Sequence, residues 1–513
     1  MPDFDSAAIL GRLADLRSLD APTHGGRVLS YVYDTGLGSL DELAADAIRL
    51  MQPVNGLDPT TFGSVAALER EVLGFVRGLF HGGDDVVGTV TSGGTESCLL
   101  AVKTARDLWR QRHPDAGAPR LVLPATAHAA FHKAAYYFGL ELDLVPAESD
   151  GAATEGAATD GTAAKGTAAE GSVPAARIIE RLGDDTALVV VSAPNYPYGS
   201  VDPVEAVAAA AAERGIPCHV DACVGGFVLP FLEGMPLWDF RVAGVTSVSA
   251  DLHKFGYAPK GASVLLQRGR DRHRAQYFAT TGWPGYPVVN PSLLGSKSAG
   301  ALAAAWAIIQ ALGSDGFAAL TAQSIASTSA LLHAIDGIEG LRVVGSPVGP
   351  LFAVATDESV EHERRVDPHH WADRVRELGF LLQQQPAFEQ SDGTRLPRTT
   401  HLTITPVTAS VLNELVVALA TAADEMRGRP PVSVDEVRAL LPASLLSPGA
   451  AAGLDSDAAA AILSRLFGAL GSTEPGALPD RFAPVMALVE ALPAPVGERL
   501  LTEVLARLAE PSD

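Results

Sequence analysis

SVSADLHKFGYAPKG, residues 247 to 261, joins a short β-branched run to a His-Lys pair and a second lysine six residues later. The apolar run predicts a strand, and the polar residues after it predict a loop at the strand's carboxyl end. The same unit recurs upstream: VVGTV, RLVLP, ALVVVSAP and PCHVDA are separated by helical patterns such as ESCLLAVKTARDLWRQ and PVEAVAAAAAERG. Strands alternating with helices predict a largely parallel sheet wrapped by helices, an α/β fold from about residue 86 to residue 310. A lysine beyond a strand end is ordinarily a solvated surface charge, so Lys254 takes its meaning from what the other strand ends supply.

Composition narrows the field. At 513 residues and 47% hydrophobic content the chain can bury a large core. Its 38 basic against 60 acidic residues give a net charge of −22, which argues against nucleic acid or an anionic membrane as principal partner. An anionic ligand must therefore be held by local donors. Cys98, Cys218 and Cys223 are too few and too irregularly spaced for a disulfide framework or a four-ligand zinc site, and they read as small buried residues in a reducing compartment. No HExxH or paired-cysteine spacing asks for a metal. The start MPDFDSAAIL lacks the basic and apolar regions of a signal peptide, and no window reaches the ~20 uninterrupted apolar residues of a membrane span. The expectation is a soluble cytoplasmic protein.

Four regions are expected. Residues 1–80 read as a helical N-terminal arm, and residues 81–311 as the large α/β domain. Residues 312–428 follow as a smaller α+β domain with strands at LRVVGS, LFAVAT and THLTIT, and residues 429–513, after two prolines, as a helical extension. One segment interrupts the large domain: GAATE GAATD GTAAK GTAAE, residues 151 to 170, is four tandem pentapeptides without a large apolar side chain. Such a segment buries too little surface to offset its chain entropy, which predicts a disordered insertion at about 148–173.

Ligands of open α/β sheets gather outside the strands' carboxyl ends. There the chain places TSGGTESCLL after VVGTV, a glycine turn running into a helix whose N–H groups can cradle a phosphate. It lacks the lysine of a nucleotide P-loop. His128 follows RLVLP, Asp221 ends the apolar strand IPCHV, and Asp251-Leu252-His253-Lys254 follows VTSVS. A phosphate cradle, a flat imidazole, a carboxylate and a lysine are the four groups pyridoxal 5′-phosphate requires.

The motifs TSGGTES, HAAFHKAAYYFG, SAPNYPYGSVDP, HVDACVGGF and SADLHKFGYAPKG resemble, in order over about residues 20 to 425, those of the sphingosine-1-phosphate lyases. These belong to the group II pyridoxal-phosphate-dependent decarboxylases of fold type I, the aspartate aminotransferase-like fold. The resemblance implies Lys254 as the Schiff-base lysine, Asp221 on the pyridine nitrogen and His128 stacked on the ring. It further implies Gly94, Thr95 and His253 at the cofactor phosphate, joined by Ser296 from a partner subunit, and hence a homodimer with shared active sites. Tyr33 in SYVYDTG and Lys260 in YAPKG resemble the family's substrate-facing tyrosine and second lysine. The lyases' NPLHP stands here as NGLDP, which keeps Asn55 and puts Asp58 where the family has histidine. An aspartate would repel a substrate phosphate. Two reactions on a small-molecule amine or amino-acid substrate follow: retro-aldol cleavage to an aldehyde and a smaller amine, or amino-acid decarboxylation, in which Asp58 would pair with a cationic group. A non-catalytic scaffold carried by the helical tail is the third reading.

Overall fold

The computed structural model describes residues 4–149, 169–470 and 479–511. Its centre is a seven-stranded sheet: β1 (Val86–Thr91), β2 (Arg120–Pro124), β3 (Glu141–Val145), β4 (Thr186–Ser192), β5 (Cys218–Asp221), β6 (Val245–Ala250) and β7 (Ser263–Arg268). They lie in the order β1-β7-β6-β5-β4-β2-β3, and β7 alone runs against its neighbours. Five of these strands lie where the apolar runs predicted them. The two others escape the pattern for physical reasons. β3 is an edge strand, largely open to solvent, whose sequence ELDLV carries two acids, and β7 returns directly from the lysine-bearing loop without an intervening helix.

Helices cover both faces. Every residue of β4 is buried, and its alternating side chains serve two cores: Val189 and Val191 join the larger, Leu188 and Val190 the one beneath the Gly94–Arg112 helix. The region read as an arm is partly core, since the Gly63–Leu79 helix contributes Val72 and Val76 to the larger cluster. Further upstream, Leu29 joins the smaller domain's core, and backbone hydrogen bonds between residues 27–29 and Leu381 and Thr403 hold it there.

The helix Gly300–Asp336 links the two domains. Gly313, at φ 53 and ψ −171, interrupts it where the large domain was expected to end, and glycine pays little for that left-handed φ. Among the described residues this is the one helix long and apolar enough to cross a membrane. Its Ile308, Phe317 and Leu320 pack in the large core and Leu331 and Ile335 in the small one. The smaller sheet is antiparallel, with Leu341–Val343, Leu351–Thr356, Thr399–Thr403 and Gln383–Gln385 in spatial order. Its last strand, three glutamines, gave no apolar signal. Beyond residue 429, the helices Val434–Leu440, Ser456–Ala469, Ala483–Ala491 and Ala494–Leu508 close around a core of their own.

The sequence places a disordered insertion at about 148–173. Residues 150–168 lie outside the described residues. The flanks are ordered: Glu148 N–H donates to Ser172 O at 2.9 Å and Gly171 N–H to Glu148 O at 2.8 Å. Glu170, the last residue of the fourth pentapeptide, is buried against Arg342 at 2.5 and 3.0 Å. A long-range ion pair that composition could not register fixes it.

Candidate functional site

The carboxyl ends of β1, β2, β4, β5 and β6 open on one edge of the sheet, where two cavities lie side by side. The inner, about 380 Å³, is lined by Gly93, Gly94, Thr95, Cys98, His128, Asp221, Cys223, Asp251, His253 and Lys254. The outer, about 650 Å³, shares His128, His253 and Lys254 and adds Tyr31, Tyr33, Tyr196, Lys260, Gln383–Gln385, Phe388 and Leu396. Both volumes suit small-molecule sites.

Local chain geometry explains each placement. β1 ends in the Ser92-Gly93-Gly94 turn, and the helix that follows starts with no side-chain cap, so its N–H groups face the cavity. Glycine is required at 94, because a Cβ there would stand 2.6 Å from Asp251 Oδ2. Asp251 itself, 1% exposed, binds Lys254 Nζ at 2.9 Å. Burial works against its charge, but Lys254 and His253 hold the carboxyl below its ordinary range. Burial likewise opposes charge on Lys254, and Asp251 outweighs it, keeping the amine well above the usual lysine value. Asp251 Oδ1 has no hydrogen-bond partner among the described residues.

His253 Nδ1 accepts from Ala262 N–H at 3.3 Å and Gly261 N–H at 3.4 Å, which leaves its Nε2 3.6 Å from Asp251 Oδ2. Tyr257, at φ 55, turns the chain so that Lys260 folds back and donates to His253 O at 3.0 Å. The Lys260 ammonium then stands 4.7 Å over the Tyr33 ring. Partial desolvation of the amine, reinforced by the charge on Lys254, lowers Lys260 to about 8, although the residue as a whole is exposed. Burial pushes Tyr33 up to about 12.

On β5, Asp221 Oδ1 accepts from Cys223 N–H at 3.0 Å and Ser249 O–H at 3.4 Å. Ser249 also meets His219 Nε2 at 3.2 Å, and burial lowers that histidine to about 4, so it backs the carboxylate as a neutral ring. His128 stands at the cavity with its Nδ1 accepting Ala130 N–H at 3.1 Å.

Lys254, His128, Asp221, Gly94, Thr95, His253, Tyr33 and Lys260 thus converge in one chain. Asn55, Asp58 and Ser296 line neither cavity. Asn55 Nδ2 lies 3.4 Å from Ser296 Oγ. The Asp58 carboxylate takes hydrogen bonds from the amides and hydroxyls of Thr60 and Thr61, which drive it well below its usual range in an exposed loop. Several lining residues were not anticipated. Cys98 and Cys223 come together with Asp221, their ligand atoms within 4.8 Å of one another, through residues 125 apart in sequence. Tyr196 was visible in SAPNYPYG, but its stacking on His401, 4.3 Å between centroids, needed the small domain to close over it.

An uncapped helix N-terminus, a part-buried lysine and a hydrogen-bonded buried carboxylate around one inner cavity define the class: a fold type I site for pyridoxal 5′-phosphate. The residues fit that group. The cradle at Gly93–Thr95 is open, Asp251 carries an unpartnered oxygen beside Lys254, and Asp221 faces the cavity.

The chain belongs to the pyridoxal-dependent decarboxylase family, whose conserved domain matches residues 27–339. Its cofactor is pyridoxal 5′-phosphate. Residues 416–507 match the C-terminal putative HTH domain of pyridoxal-dependent enzymes. Sphingosine-1-phosphate lyase 1 of Rattus norvegicus is 38% identical over 69% of this chain and 59% of its own length. The chain spans less than two thirds of the animal lyases it matches. A probable L-tyrosine/L-aspartate decarboxylase of Methanothrix thermoacetophila is 32% identical over 70% of this chain and 85% of its own. The solved sphingosine-1-phosphate lyase of Burkholderia pseudomallei superposes with a TM-score of 0.72 at 30% identity, covering 83% of this chain and 92% of its own.

Proposed function

We propose that the protein is a pyridoxal-phosphate-dependent carbon–carbon lyase that cleaves a β-hydroxy amine by a retro-aldol reaction, in the manner of the sphingosine-1-phosphate lyases it resembles. The observation that carries this reading is the Lys260 ammonium over Tyr33 at the cavity it shares with Lys254. A retro-aldol step needs a base beyond the cofactor lysine, and a decarboxylation does not.

Lys254 would hold the cofactor and yield its place to the substrate amine. His128 would lie on the ring face, Asp221 would keep a proton on the ring nitrogen, and the Gly94–Thr95 turn with His253 would hold the phosphate. Bound there, pyridoxal 5′-phosphate supplies the sink for the electron pair of the bond broken at the substrate α-carbon. Lys260, neutral in part near pH 8, takes the proton of the β-hydroxyl, the Cα–Cβ bond breaks, and the β-carbon leaves as an aldehyde. A proton then returns to Cα, and the smaller amine would leave as the Lys254 amine takes back its place on the cofactor. Tyr33, which keeps its own proton up to about pH 12, orients the hydroxyl as a donor.

We further propose a homodimer in which the neighbouring Asn55 and Ser296 of one copy complete the cavity of the other; their mutual contact apart from the chain's own cavities supports this. The resemblance to the archaeal decarboxylase favours a second reading, loss of carbon dioxide from an amino acid. Mass spectrometry separates the two. Cofactor-loaded protein incubated with a phosphorylated sphingoid base is expected to give phosphoethanolamine and a long-chain aldehyde, with Lys254→Ala as the blank. No cleavage by protein that retains the cofactor would refute that substrate, and carbon dioxide release from amino acids would replace it.

A further inference from the structure

One wall of the outer cavity comes from the small domain: Gln383–Gln385, Pro386, Phe388 and Leu396. Phe388 and Leu396 face each other across a hairpin of only two residue pairs, too short to hold its own shape. Gln390 ties its tip to the large domain, exchanging hydrogen bonds of 2.8 Å with the backbone of Ala147. The end nearest the cavity is held by the C-terminal helical unit. Glu490, 2% exposed at its side chain, accepts from Arg395 Nη2 at 2.8 Å, from Arg398 Nε at 2.8 Å and Nη2 at 3.1 Å, and from Ala387 N–H at 3.2 Å. These partners flank Phe388 and Leu396 on both sides. The same helix, Ala483–Ala491, is fastened at its other end: Phe482 and Ala483 N–H groups donate to Asp373 at 2.8 and 3.0 Å. Asp373 in turn accepts from Gln384, another lining residue, at 3.0 Å.

A carboxylate in the last turn of a helix faces the negative end of its dipole, and burial adds to that cost. Glu490 therefore gains its place only through the two arginines and the Ala387 amide. We propose that the helix 483–491 braces the substrate-cavity wall, and that Glu490 is a positioning residue acting through Ala387, Arg395 and Arg398 on the apolar side chains of Phe388 and Leu396. The brace governs the fit of the substrate's apolar part and leaves the Lys254 chemistry alone. This rests on the reading of the outer cavity as the substrate site.

The test uses the full-length holoenzyme carrying Glu490→Gln, with Arg395→Gln as a second variant that removes one ion pair from its exposed side. Loss of charge-assisted hydrogen bonds is expected to speed amide hydrogen exchange across residues 386–396 about tenfold and to raise KM for a long-chain amine by a similar ~10-fold, with kcat within about twofold and the bound-cofactor absorbance unchanged. Unchanged exchange in both variants would overturn the brace. Faster exchange with an unmoved KM, or a fall confined to kcat, would overturn its link to substrate. Should wild-type holoenzyme cleave no amine, the proposed function fails, while the exchange measurement still decides whether the helix holds the wall.

Discussion

The lowered Lys260 amine makes its titration the sharpest handle on the chemistry. With the amine at about 8, the neutral fraction is about 1% at pH 6, about 9% at pH 7 and about 90% at pH 9. If Lys260 is the base, single-turnover aldehyde formation by cofactor-loaded enzyme rises about tenfold from pH 7 to pH 9 and flattens above that. Two substitutions separate a base from a mere cation. Lys260→Gln abolishes the rising limb and lowers the plateau rate by about 10²–10⁴-fold, the usual worth of a general base. Lys260→Arg keeps a cation over the Tyr33 ring yet cannot release its proton at these pH values, so it is expected to be as slow as the glutamine variant. Stopped-flow detection of the aldehyde over pH 6–9 checks all three enzymes. A limb that survives in Lys260→Gln, or an arginine variant within about tenfold of wild type, would refute the base assignment and make Lys260 a holder of an anionic group.

Gly94→Ala drives a methyl group to 2.6 Å from the carboxylate that pairs with Lys254, so cofactor affinity is expected to fall about 10- to 100-fold in an absorbance titration of apoprotein; unchanged affinity would show that the turn can yield. His219 and His401 are fully buried, and burial lowers each from 6.5 to about 4. The unfolded chain therefore binds these protons first, and stability falls as pH drops from 6.5 toward 4. Each contributes a loss of about 2 kcal/mol by pH 5, measured by urea unfolding of apoprotein at pH 7 and pH 5; equal stabilities would contradict the burial argument. Asp202 has the opposite sign. Burial raises its carboxyl from 3.8 to about 7, so its unfavourable contribution grows as pH climbs through that window. Asp202→Asn is expected to gain about 3 kcal/mol on wild type between pH 5 and pH 8, and a pH-independent difference would refute the assignment.

The fold was legible where burial on both faces gave an unbroken apolar run, as in the ALVVV of β4, and illegible where an edge strand carried acids, as in β3, or a strand was built of glutamines. Lys254, Asp221, His128 and the Gly93-Gly94 turn could be read from the sequence because each follows a strand, and parallel topology sends the carboxyl ends of such strands to one edge. Glu170 went the other way, its repeat composition hiding its own burial against Arg342.

What the sequence by itself determined is the set of reactive groups and the alternation of strands and helices that carries them, since both depend on local pattern. Only the tertiary structure decided the environments that tune those groups. The lowering of Lys260 depends on walls and a second lysine brought around it by the loop that Tyr257 turns. The charge on Lys254 survives burial because Asp251 lies 2.9 Å away. The fastening of the cavity wall by Glu490 joins residues 92 to 103 positions apart. Desolvation and Coulomb energy depend on distance in space, which a sequence fixes only through the completed fold.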